Sequence, residues 1–560
     1  MRRKNNNREI EVDEIFLDQK NAPGFHQESM EGMLENPIKN RIFWFLGVFL
    51  ITMLTVFGLR VGYLQLARGE ELKSRSEKNY LRVVSLGTQR GIIYDRNGDP
   101  LAYDDTVGTE NLRKYPPDGF LHVLGFLTAP EKEGGAPKGA SGLESTYDEI
   151  LRGSPDRNIE EVDAKGNVVE LGILEKGQEG KNILTGLSRG LNIKLAEAIN
   201  SLKEERGFKG GAGIFMDIKS GEILALASAP EFNPNLLSQK NSSEEINKLL
   251  HDKGKPFLNR AVSGLYAPGS IVKPALAIGA LLENIITPDK KILSTGSISL
   301  PNPYDPLRPN VFLDWKAHGW VDMRQALAVS SDVYFYEVGG GYHDQKGLGP
   351  WNIKKYFSMF GFEEKSGIDL PGEKSGHLPD PSEKQGGRDW TIGDTYHMAI
   401  GQGDVTVTPI EIVSYVTAIA SDGVLQYPHL VRAILDKNKK PLQIFSYPPK
   451  RVLPVSPDIF KVIKEGMRDS AKFGTAQGLS GLPIEIAAKT GTAEIGGTNT
   501  VNSWSIGFFP YENPRVAFAI LMESGPRQNT VGATYVAAQV IRWITDTGFL
   551  SKLDNDILPK

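Results

Sequence analysis

The sequence contains no cysteine among its 560 residues. The chain therefore has no disulfides, no thiolate metal sites and no cysteine nucleophile. It also lacks an excess of basic residues, because 64 Lys and Arg are set against 68 Asp and Glu, for a net charge of −4. With this charge balance the chain has no strong electropositive field, so we predict no nucleic-acid partner. The chain is 40% hydrophobic and 24% charged, which is ordinary for a globular protein, and its length indicates roughly three or four domains.

A single apolar segment near the N-terminus predicts a membrane anchor. Residues 42–59 include no charged side chain, and this length is near the minimum for a helix that spans a bilayer. Trp44 and Tyr63 flank the segment at positions suited to the two membrane interfaces. A cleavable signal peptide would have a shorter apolar region and a small-residue cleavage site after it. We predict a cytoplasmic tail over residues 1–41 and a transmembrane helix over residues 42–62 that crosses the cell (inner) membrane once. The catalytic region is then extracytoplasmic.

The region after the anchor has the pattern of a mixed α/β support. A short apolar run, Ile92–Tyr94, precedes Asn97-Gly98, a dipeptide typical of a tight hairpin turn. Further on, Gly213–Ala227 reads as two strands around a turn, and Ser503–Pro510 reads as another strand. Strands interspersed with helical segments predict an α+β fold, in which an antiparallel sheet packs against helices.

The first candidate for chemistry is Ser270, which lies three residues before Lys273. On a helix this spacing places the two side chains on one face. A serine hydroxyl is a weak nucleophile that needs a neighbouring base. A lysine serves as that base when burial or another cation lowers its pKa. Taken alone, S-x-x-K also occurs by chance on solvated helices.

A second candidate is the pair Ser330 and Asp332, at the start of an aromatic and β-branched run. Short polar side chains at this spacing can point the same way from a turn, where the hydroxyl would relay a proton. Such residues also cap helices, which is the simpler interpretation of this triplet in isolation.

A third candidate is the run Lys489, Thr490, Gly491 and Thr492. Lysine and threonine hydroxyls can together hold a carboxylate, and glycine allows a ligand to approach the backbone closely. A phosphate-binding loop would need upstream glycines that this sequence lacks.

In this order and at these wide separations, the three motifs resemble the signature set of penicillin-binding proteins and serine β-lactamases. From about Leu81 to about Trp543 the sequence is similar to class B penicillin-binding proteins, nearest to the elongation-type penicillin-binding protein 2 group. The resemblance implies a transpeptidase domain over residues 186–550 after a dimerisation-like pedestal over residues 63–185. The link between Ala102 and Tyr115 is shorter than is usual in that family.

The resemblance also implies catalytic roles. Ser270 attacks a D-alanyl-D-alanine carbonyl, and Lys273 takes its proton. The backbone N–H groups of Ser270 and Thr492 hold the oxyanion. Ser330 passes a proton to the departing D-alanine, and Asp332 fixes the local geometry.

For the K-T-G motif the resemblance implies substrate binding. Lys489, Thr490 and Thr492 hold the terminal carboxylate, with Gly491 leaving room for it. A second stem peptide's amine then attacks the acyl-enzyme and closes a cross-link. The implied partners are peptidoglycan stem peptides, β-lactams, membrane lipid and a polytopic glycosyltransferase.

Asp305, Asp314 and His318 form a further cluster in a loop-like stretch. Carboxylates and histidine can bind zinc. Their spacing fits no compact ligand motif, so we expect no metal and no cofactor.

Two other functional classes share parts of this pattern. A D,D-carboxypeptidase or serine β-lactamase has the same three motifs, but it needs a water positioned for deacylation, and no motif clearly supplies the base for that water. A β-lactam sensor needs a cytoplasmic signalling domain larger than 41 residues. A non-catalytic scaffold has no need for three intact motifs.

Overall fold

The computed structural model describes residues 40–78, 80–86, 89–107, 110–116, 118–128, 137–162, 168–238, 243–302, 305, 307–383 and 388–554. The predicted cytoplasmic tail lies outside the described residues, apart from its last two positions. The chain forms two compact units, Met1–Arg82 with Glu160–Leu171, and Val83–Ile159 with Gly172–Lys560.

The first unit contains the apolar helix, Asn40–Gly62, which continues into a π-helical turn at Tyr63–Ala67 and is followed by Gly69–Lys78. Twenty-three residues give a helix about 35 Å long, enough to cross a hydrocarbon layer of about 30 Å. The hydroxyls of Thr52 and Thr55 donate to backbone carbonyls four residues earlier, both at 2.7 Å. Their polar groups are therefore satisfied within the helix, as an apolar environment requires. Among the described residues this is the one helix long and apolar enough to span a membrane.

The second unit is built around a five-stranded antiparallel sheet, whose strands we number in chain order. They are β1 (Gly210–Asp217), β2 (Ile223–Ala229), β3 (Ala487–Glu494), β4 (Thr500–Phe509) and β5 (Val516–Pro526). Their order across the sheet is β2-β1-β5-β4-β3, with every pairing antiparallel, so β3 is an edge strand. Sequence segments about 300 residues apart, β1 and β5, thus form neighbouring strands.

Side chains of this sheet alternate between two apolar layers, as the period of two in a strand requires. On one face Phe215 packs into an apolar cluster with the helix Arg189–Arg206. On the opposite face its neighbour Ile214 packs with the helix Pro409–Ala420. A Cβ added at Gly213 would lie 2.6 Å from Leu195 Cδ1, so glycine lets the first helix lie close to the sheet. This arrangement confirms the predicted α+β class with an antiparallel sheet flanked by helices.

A six-stranded sheet in the same unit contains the predicted hairpin. The turn at Asn97-Gly98 joins two of its strands, with Gly98 at φ +84°, a conformation that favours glycine. Its strands, in spatial order, are Pro441–Ile444, Val431–Leu435, Asn182–Thr185, Ile93–Tyr94, Pro100–Val107 and Glu110–Lys114.

Next to this hairpin lies a group of buried charges that we call the support cluster, formed by Arg90, Asp104, Arg113, Glu144 and Asp148. Glu144, which is fully buried, accepts from Arg90 Nε at 2.7 Å and from Arg113 Nε at 2.8 Å. The two guanidinium groups also reach Asp148 at 2.8 Å and Asp104 at 3.0 Å. Each charged side chain in the group thus contacts at least one of opposite sign.

Other strands of the described chain are Tyr80–Leu86, Leu127–Thr128, Lys138–Gly139, Asp156–Val162, Val168–Glu175, Ile292–Ser294, Ser297–Leu300, Asn310–Leu313, Gly319–Val321, Val424–Leu425 and Arg451–Val452. Other helices are Leu121–Leu124, Gly142–Thr146, Asp148–Arg152, Asn235–Ser238, Ser243–Leu250, Arg260–Ser263, Lys273–Leu282, Met323–Val329, Asp332–Gly340, Pro350–Met359, Ile392–Ala399, Pro457–Lys472, Ala533–Asp546 and Phe549–Lys552, with 3₁₀ turns at Gly269–Val272 and Gln477–Leu479.

Candidate active site

Ser270 lies in a 3₁₀ turn, Gly269–Val272, that leads directly into the helix Lys273–Leu282. The turn lies against β3, because a Cβ added at Gly269 would come 2.7 Å from the carbonyl oxygen of Thr492. Gly269 also has φ +57°, so glycine serves both the turn and the close approach. The sequence predicted a helix beginning near Ser270, and the α-helix begins three residues later.

The amine of Lys273 is buried and lies against the second motif. Its Nζ is 2.6 Å from Asp332 Oδ1, 2.8 Å from the Ser330 carbonyl oxygen and 3.3 Å from Ser330 Oγ. It also lies 5.4 Å from the centre of the Phe335 ring. Across the described residues no hydrogen bond joins this amine to Ser270 Oγ. The structure therefore brings Lys273 together with Ser330 and Asp332, while Ser270 lines the same cavity as those two residues.

The second motif forms the turn between two helices, Met323–Val329 and Asp332–Gly340. Ser330 ends the first helix in the left-handed conformation, with φ +60°. Ser331 caps the second helix by accepting a hydrogen bond from the Tyr334 N–H at 3.3 Å. The capping role thus belongs to Ser331, and the side chains on either side of it are free to face the cavity.

The amine of Lys489 also reaches the Ser330 hydroxyl. Its Nζ donates to Ser330 Oγ at 2.7 Å and to the Thr490 carbonyl oxygen at 2.9 Å. Burial, together with the nearby charge of Lys273, holds the pKa of Lys489 well below its usual value of 10.5, although Asp332 opposes the shift. We call Lys273, Ser330, Asp332 and Lys489 the catalytic cluster. Its central feature is one serine hydroxyl between two lysine amines.

The rest of the K-T-G motif follows β3 along the cavity. Thr490 Oγ1 donates to Thr475 Oγ1 at 2.6 Å, and Thr492 is exposed. A Cβ at Gly491 would lie 2.8 Å from the Pro268 carbonyl oxygen, so glycine lets the strand approach the serine turn. Gln402 Nε2 donates to the Thr492 carbonyl oxygen at 3.4 Å. Sequence reasoning did not identify Thr475 or Gln402, since neither lies in one of the three motifs.

A cavity of about 1000 Å³ is lined by residues of all three motifs: Ser270, Ser330, Asp332, Thr490, Gly491 and Thr492. Its wall combines the polar motif residues with exposed apolar side chains, among them Leu313, Trp315 and Tyr535. A cleft that combines apolar side chains with convergent polar groups is typical of a ligand site. The three motifs are thus brought together, although up to 222 residues separate Ser270 from Thr492.

Asp314 lies beneath the second motif and holds it in place. Its Oδ2 accepts from Ser331 Oγ at 2.8 Å, from the Val333 N–H at 3.0 Å and from Ser294 Oγ at 3.1 Å. Burial alone would raise the pKa of Asp314, but these hydrogen bonds and the charge of Lys273 lower it below its usual value. Asp314 is therefore a charged acceptor that anchors the turn.

The three residues considered for zinc do not converge in the structure. His318 Nε2 lies 3.5 Å from Asp314 Oδ1, and burial lowers the pKa of this imidazole. Asp305, by contrast, is bonded to its own loop through the Leu307 N–H at 3.2 Å. No group of three or more candidate metal ligands occurs in the part of the chain that the structure describes. The expectation of no metal remains a prediction.

Comparison with known proteins identifies two family regions. Residues 211–545 match the penicillin binding protein transpeptidase domain, and residues 105–185 match the penicillin-binding protein dimerisation domain. The predicted boundaries at residues 62, 185 and 550 remain predictions.

Individual relatives agree with these matches. The chain is 28% identical to peptidoglycan D,D-transpeptidase MrdA of Acinetobacter baumannii, over 93% of this chain and 89% of that protein. It is similar to the structure of Pseudomonas aeruginosa PBP2 in complex with WCK 5153, with 28% identity, a TM-score of 0.67 and coverage of 83% of this chain and 97% of that one. A structure of a peptidoglycan synthase complex that coordinates polymerization and crosslinking matches with 27% identity, a TM-score of 0.69 and coverage of 90% and 97%.

Proposed function

Because the chain belongs to the penicillin-binding protein transpeptidase family, we propose that it is a peptidoglycan D,D-transpeptidase whose nucleophile is Ser270. The observation that carries the assignment of the site is the convergence of three distant motifs on one cavity. Within it, Ser330 Oγ lies 3.3 Å from the Lys273 amine and 2.7 Å from the Lys489 amine.

In the acylation step, Ser270 Oγ attacks the carbonyl carbon of the penultimate D-alanine. Lys273 accepts the hydroxyl proton, which requires its amine to be neutral at that moment. Ser330 supports this step because its hydroxyl offers a path for a proton between the two lysine amines. The oxyanion is held by the N–H groups of Ser270 and Thr492, an arrangement that contributes several kcal/mol in comparable sites.

Collapse of the tetrahedral intermediate breaks the peptide bond, and the departing D-alanine takes a proton through Ser330. An amine from a second stem peptide then attacks the ester carbonyl and releases Ser270 with its proton restored. Both steps conserve protons, since the proton taken from the incoming nucleophile is given to the leaving group. Asp332 supports the arrangement by holding the Lys273 amine at 2.6 Å.

Substrate binding is assigned to the K-T-G motif. Lys489 has no carboxylate within 4.0 Å among the described residues, so its cationic form is open to an anionic ligand. The C-terminal carboxylate of the stem peptide is the group we place beside Lys489, Thr490 and Thr492. The Thr475 hydroxyl, 2.6 Å from that of Thr490, extends this polar surface.

The direct test is covalent labelling of the full-length protein with fluorescent penicillin. We expect a stable adduct on the wild type and none on Ser270→Ala. The matched control is Ser263→Ala, since Ser263 ends a neighbouring short helix and its hydroxyl bonds to the Gly372 carbonyl oxygen at 2.7 Å. Equal labelling of the wild type and Ser270→Ala would overturn the assignment, and rapid turnover of the label would favour a hydrolase.

We also propose a single-pass anchor in the cell membrane and a glycan-polymerising partner. The exposed apolar helix supports the anchor. The likeness to a peptidoglycan synthase complex that couples polymerization to crosslinking supports a polytopic glycosyltransferase as partner. Co-purification of the tagged chain from membranes tests the partner, and recovery of the chain alone would count against it.

A further inference from the structure

The edge of the central sheet offers a track for an extended peptide. The strand β3 has a sheet neighbour on one side only, and several of its residues line the cavity. Along it, Thr490, Thr492 and Glu494 are accessible, whereas Gly491 and Ala493 are buried. Exposed strand edges bind extended peptides by backbone pairing, with alternate side chains available for recognition. Thr490, Thr492 and Glu494, at alternate positions of β3, are therefore accessible to a peptide that lies along this edge.

The proposed function fixes the direction of that peptide. Its C-terminal carboxylate lies at the Lys489 and Thr490 end, and the carbonyl that is attacked lies at the Thr492 N–H. The preceding residues must then run toward Glu494, antiparallel to β3. Glu494 is two residues beyond Thr492, or about 7 Å along the strand. This separation places it near the stem residue that precedes the acylated D-alanine.

At this position Glu494 is paired with Arg527. Arg527 Nη2 lies 2.6 Å from Glu494 Oε1, and both residues line the cavity. The arginine follows directly after β5, and its N–H donates to the Asn499 carbonyl oxygen at 3.2 Å, which fixes its backbone beside the β3–β4 turn. The two side chains are 62% and 58% exposed. An exposed pair of this kind contributes little to stability, so a ligand can replace it at small cost.

The chemistry of cross-linking restricts which stem residue can lie beside Glu494 and Arg527. A transpeptidase needs an acceptor amine, so the stem must carry a residue with a second amino group. That diamino acid either has a second carboxylate, as in diaminopimelate, or lacks one, as in lysine. Diaminopimelate offers a carboxylate to Arg527 and an ammonium to Glu494, so both side chains gain a partner. Lysine offers only the ammonium, so Arg527 gains none.

We propose that Glu494 and Arg527 form a subsite for a zwitterionic diamino acid in the stem peptide. Arg527 binds the side-chain carboxylate, and Glu494 binds the side-chain ammonium. The proposal rests on the proposed function, because it takes the peptide's direction from the placement of the terminal carboxylate.

The test uses the full-length enzyme with two synthetic pentapeptides ending in D-Ala-D-Ala. They differ only at the third residue, which is meso-diaminopimelate in one and L-lysine in the other. Release of D-alanine gives kcat/KM for each peptide, and the rate of penicillin acylation is measured in parallel. Penicillin has no third stem residue, so it reports on the catalytic cluster alone.

We expect the wild type to prefer the diaminopimelate peptide by about tenfold, the effect of one charge-assisted contact. Arg527→Gln should remove most of that preference while leaving the lysine peptide and penicillin acylation within about twofold of the wild type. Glu494→Gln should lower kcat/KM for both peptides equally, because both carry the side-chain amine. With peptides acetylated on that amine, Glu494→Gln and the wild type should have the same kcat/KM.

The matched control is Arg388→Gln. Arg388 is 55% exposed and is also 2.6 Å from its carboxylate partner, Asp394, but it does not line the cavity. It should leave the preference unchanged. Equal use of the two peptides by the wild type, or the same preference in Arg527→Gln, would overturn the subsite. If penicillin also failed to acylate the wild type, the proposed function itself would be wrong.

Discussion

The support cluster and the catalytic cluster, both in the second unit, hold buried charges in different ways. In the support cluster two guanidinium groups meet three carboxylates, and Glu144 is shared between Arg90 and Arg113 at 2.7 and 2.8 Å. In the catalytic cluster two lysines share one carboxylate, Asp332, and only Lys273 contacts it.

The difference separates a structural group from a functional one. Buried charges are tolerated when opposite charges and hydrogen bonds satisfy them, as in the support cluster. Within the described ranges, Lys489 instead donates only to neutral oxygens, those of Ser330 and Thr490. A buried amine without a counter-ion is costly to the fold, and its charged form is disfavoured. An anionic substrate that binds beside Lys489 would supply the missing counter-ion and favour the protonated amine. Among the described residues, the buried amine with no carboxylate within 4.0 Å therefore marks the binding site.

The largest expected effect comes from Lys489→Met, which removes the uncompensated amine but keeps the side chain's volume. Penicillin acylation should fall about 100- to 1000-fold, as for loss of one essential donor in a preorganised site. The thermal unfolding midpoint should stay the same or rise, because a buried cation is replaced by an apolar group. Stopped-flow acylation and thermal unfolding measure the two effects. A marked fall in the midpoint would show that Lys489 is a structural partner, as the arginines of the support cluster are.

The opposite pattern is expected for Glu144→Gln. Removing the shared carboxylate leaves two buried guanidinium groups with less compensation, and the unfolding free energy should fall by about 3–5 kcal/mol. Acylation by the folded fraction should not change. Glu205→Gln is the control, since Glu205 is 53% exposed beside Arg206 and should change stability by less than about 0.5 kcal/mol. Denaturant titration measures both, and a stable Glu144→Gln with slow acylation would reverse the comparison.

A smaller effect is expected for Asp314→Asn, which weakens the anchor beneath the second motif. Displacement of Ser330 should slow acylation about 10- to 100-fold, as misplacement of a reacting group does. Asp305→Asn is the matched control, because Asp305 is 44% exposed and bonded within its own loop. Acylation rates compared at one pH decide the point. Equal rates for both variants would show that the turn keeps its position without Asp314.

The smallest effect is a pH dependence of stability that arises from Lys489. Its pKa is lowered in the folded state, so between that pKa and about 10.5 the unfolded chain binds a proton that the folded chain does not. Stability from this residue therefore rises with pH across that window and is lost as pH falls. Wild-type unfolding free energy should approach that of Lys489→Met as pH increases from 7 to 10. A constant difference between the two proteins would contradict the lowered pKa.

The fold class and the three motifs could be predicted from the sequence, because Ser270-Lys273, Ser330-Asp332 and Lys489–Thr492 each have a local pattern. Their shared site was implied by the resemblance of the whole set to penicillin-binding proteins. The sequence did not predict which groups the Lys273 amine contacts, since that depends on how two distant turns pack together.

Residues outside the motifs were harder to identify. Thr475 reaches the site from a loop after a long helix, and Asp314 was considered only as a metal ligand. Their roles come from tertiary contacts to Thr490 Oγ1 and Ser331 Oγ, at 2.6 and 2.8 Å, which no sequence period records. Ser331, which the sequence analysis did not single out, lies between Ser330 and Asp332 and caps the second helix.

The central claim is that Ser270 is the acylated nucleophile of the cavity that it lines together with Ser330 and Asp332 of the catalytic cluster. Tandem mass spectrometry of the penicillin-treated, protease-digested protein tests it most directly, because it locates the adduct on one residue. The account predicts a single penicilloyl group on Ser270. An adduct on Ser330 or on any other residue, or an unmodified Ser270 after full reaction, would contradict it.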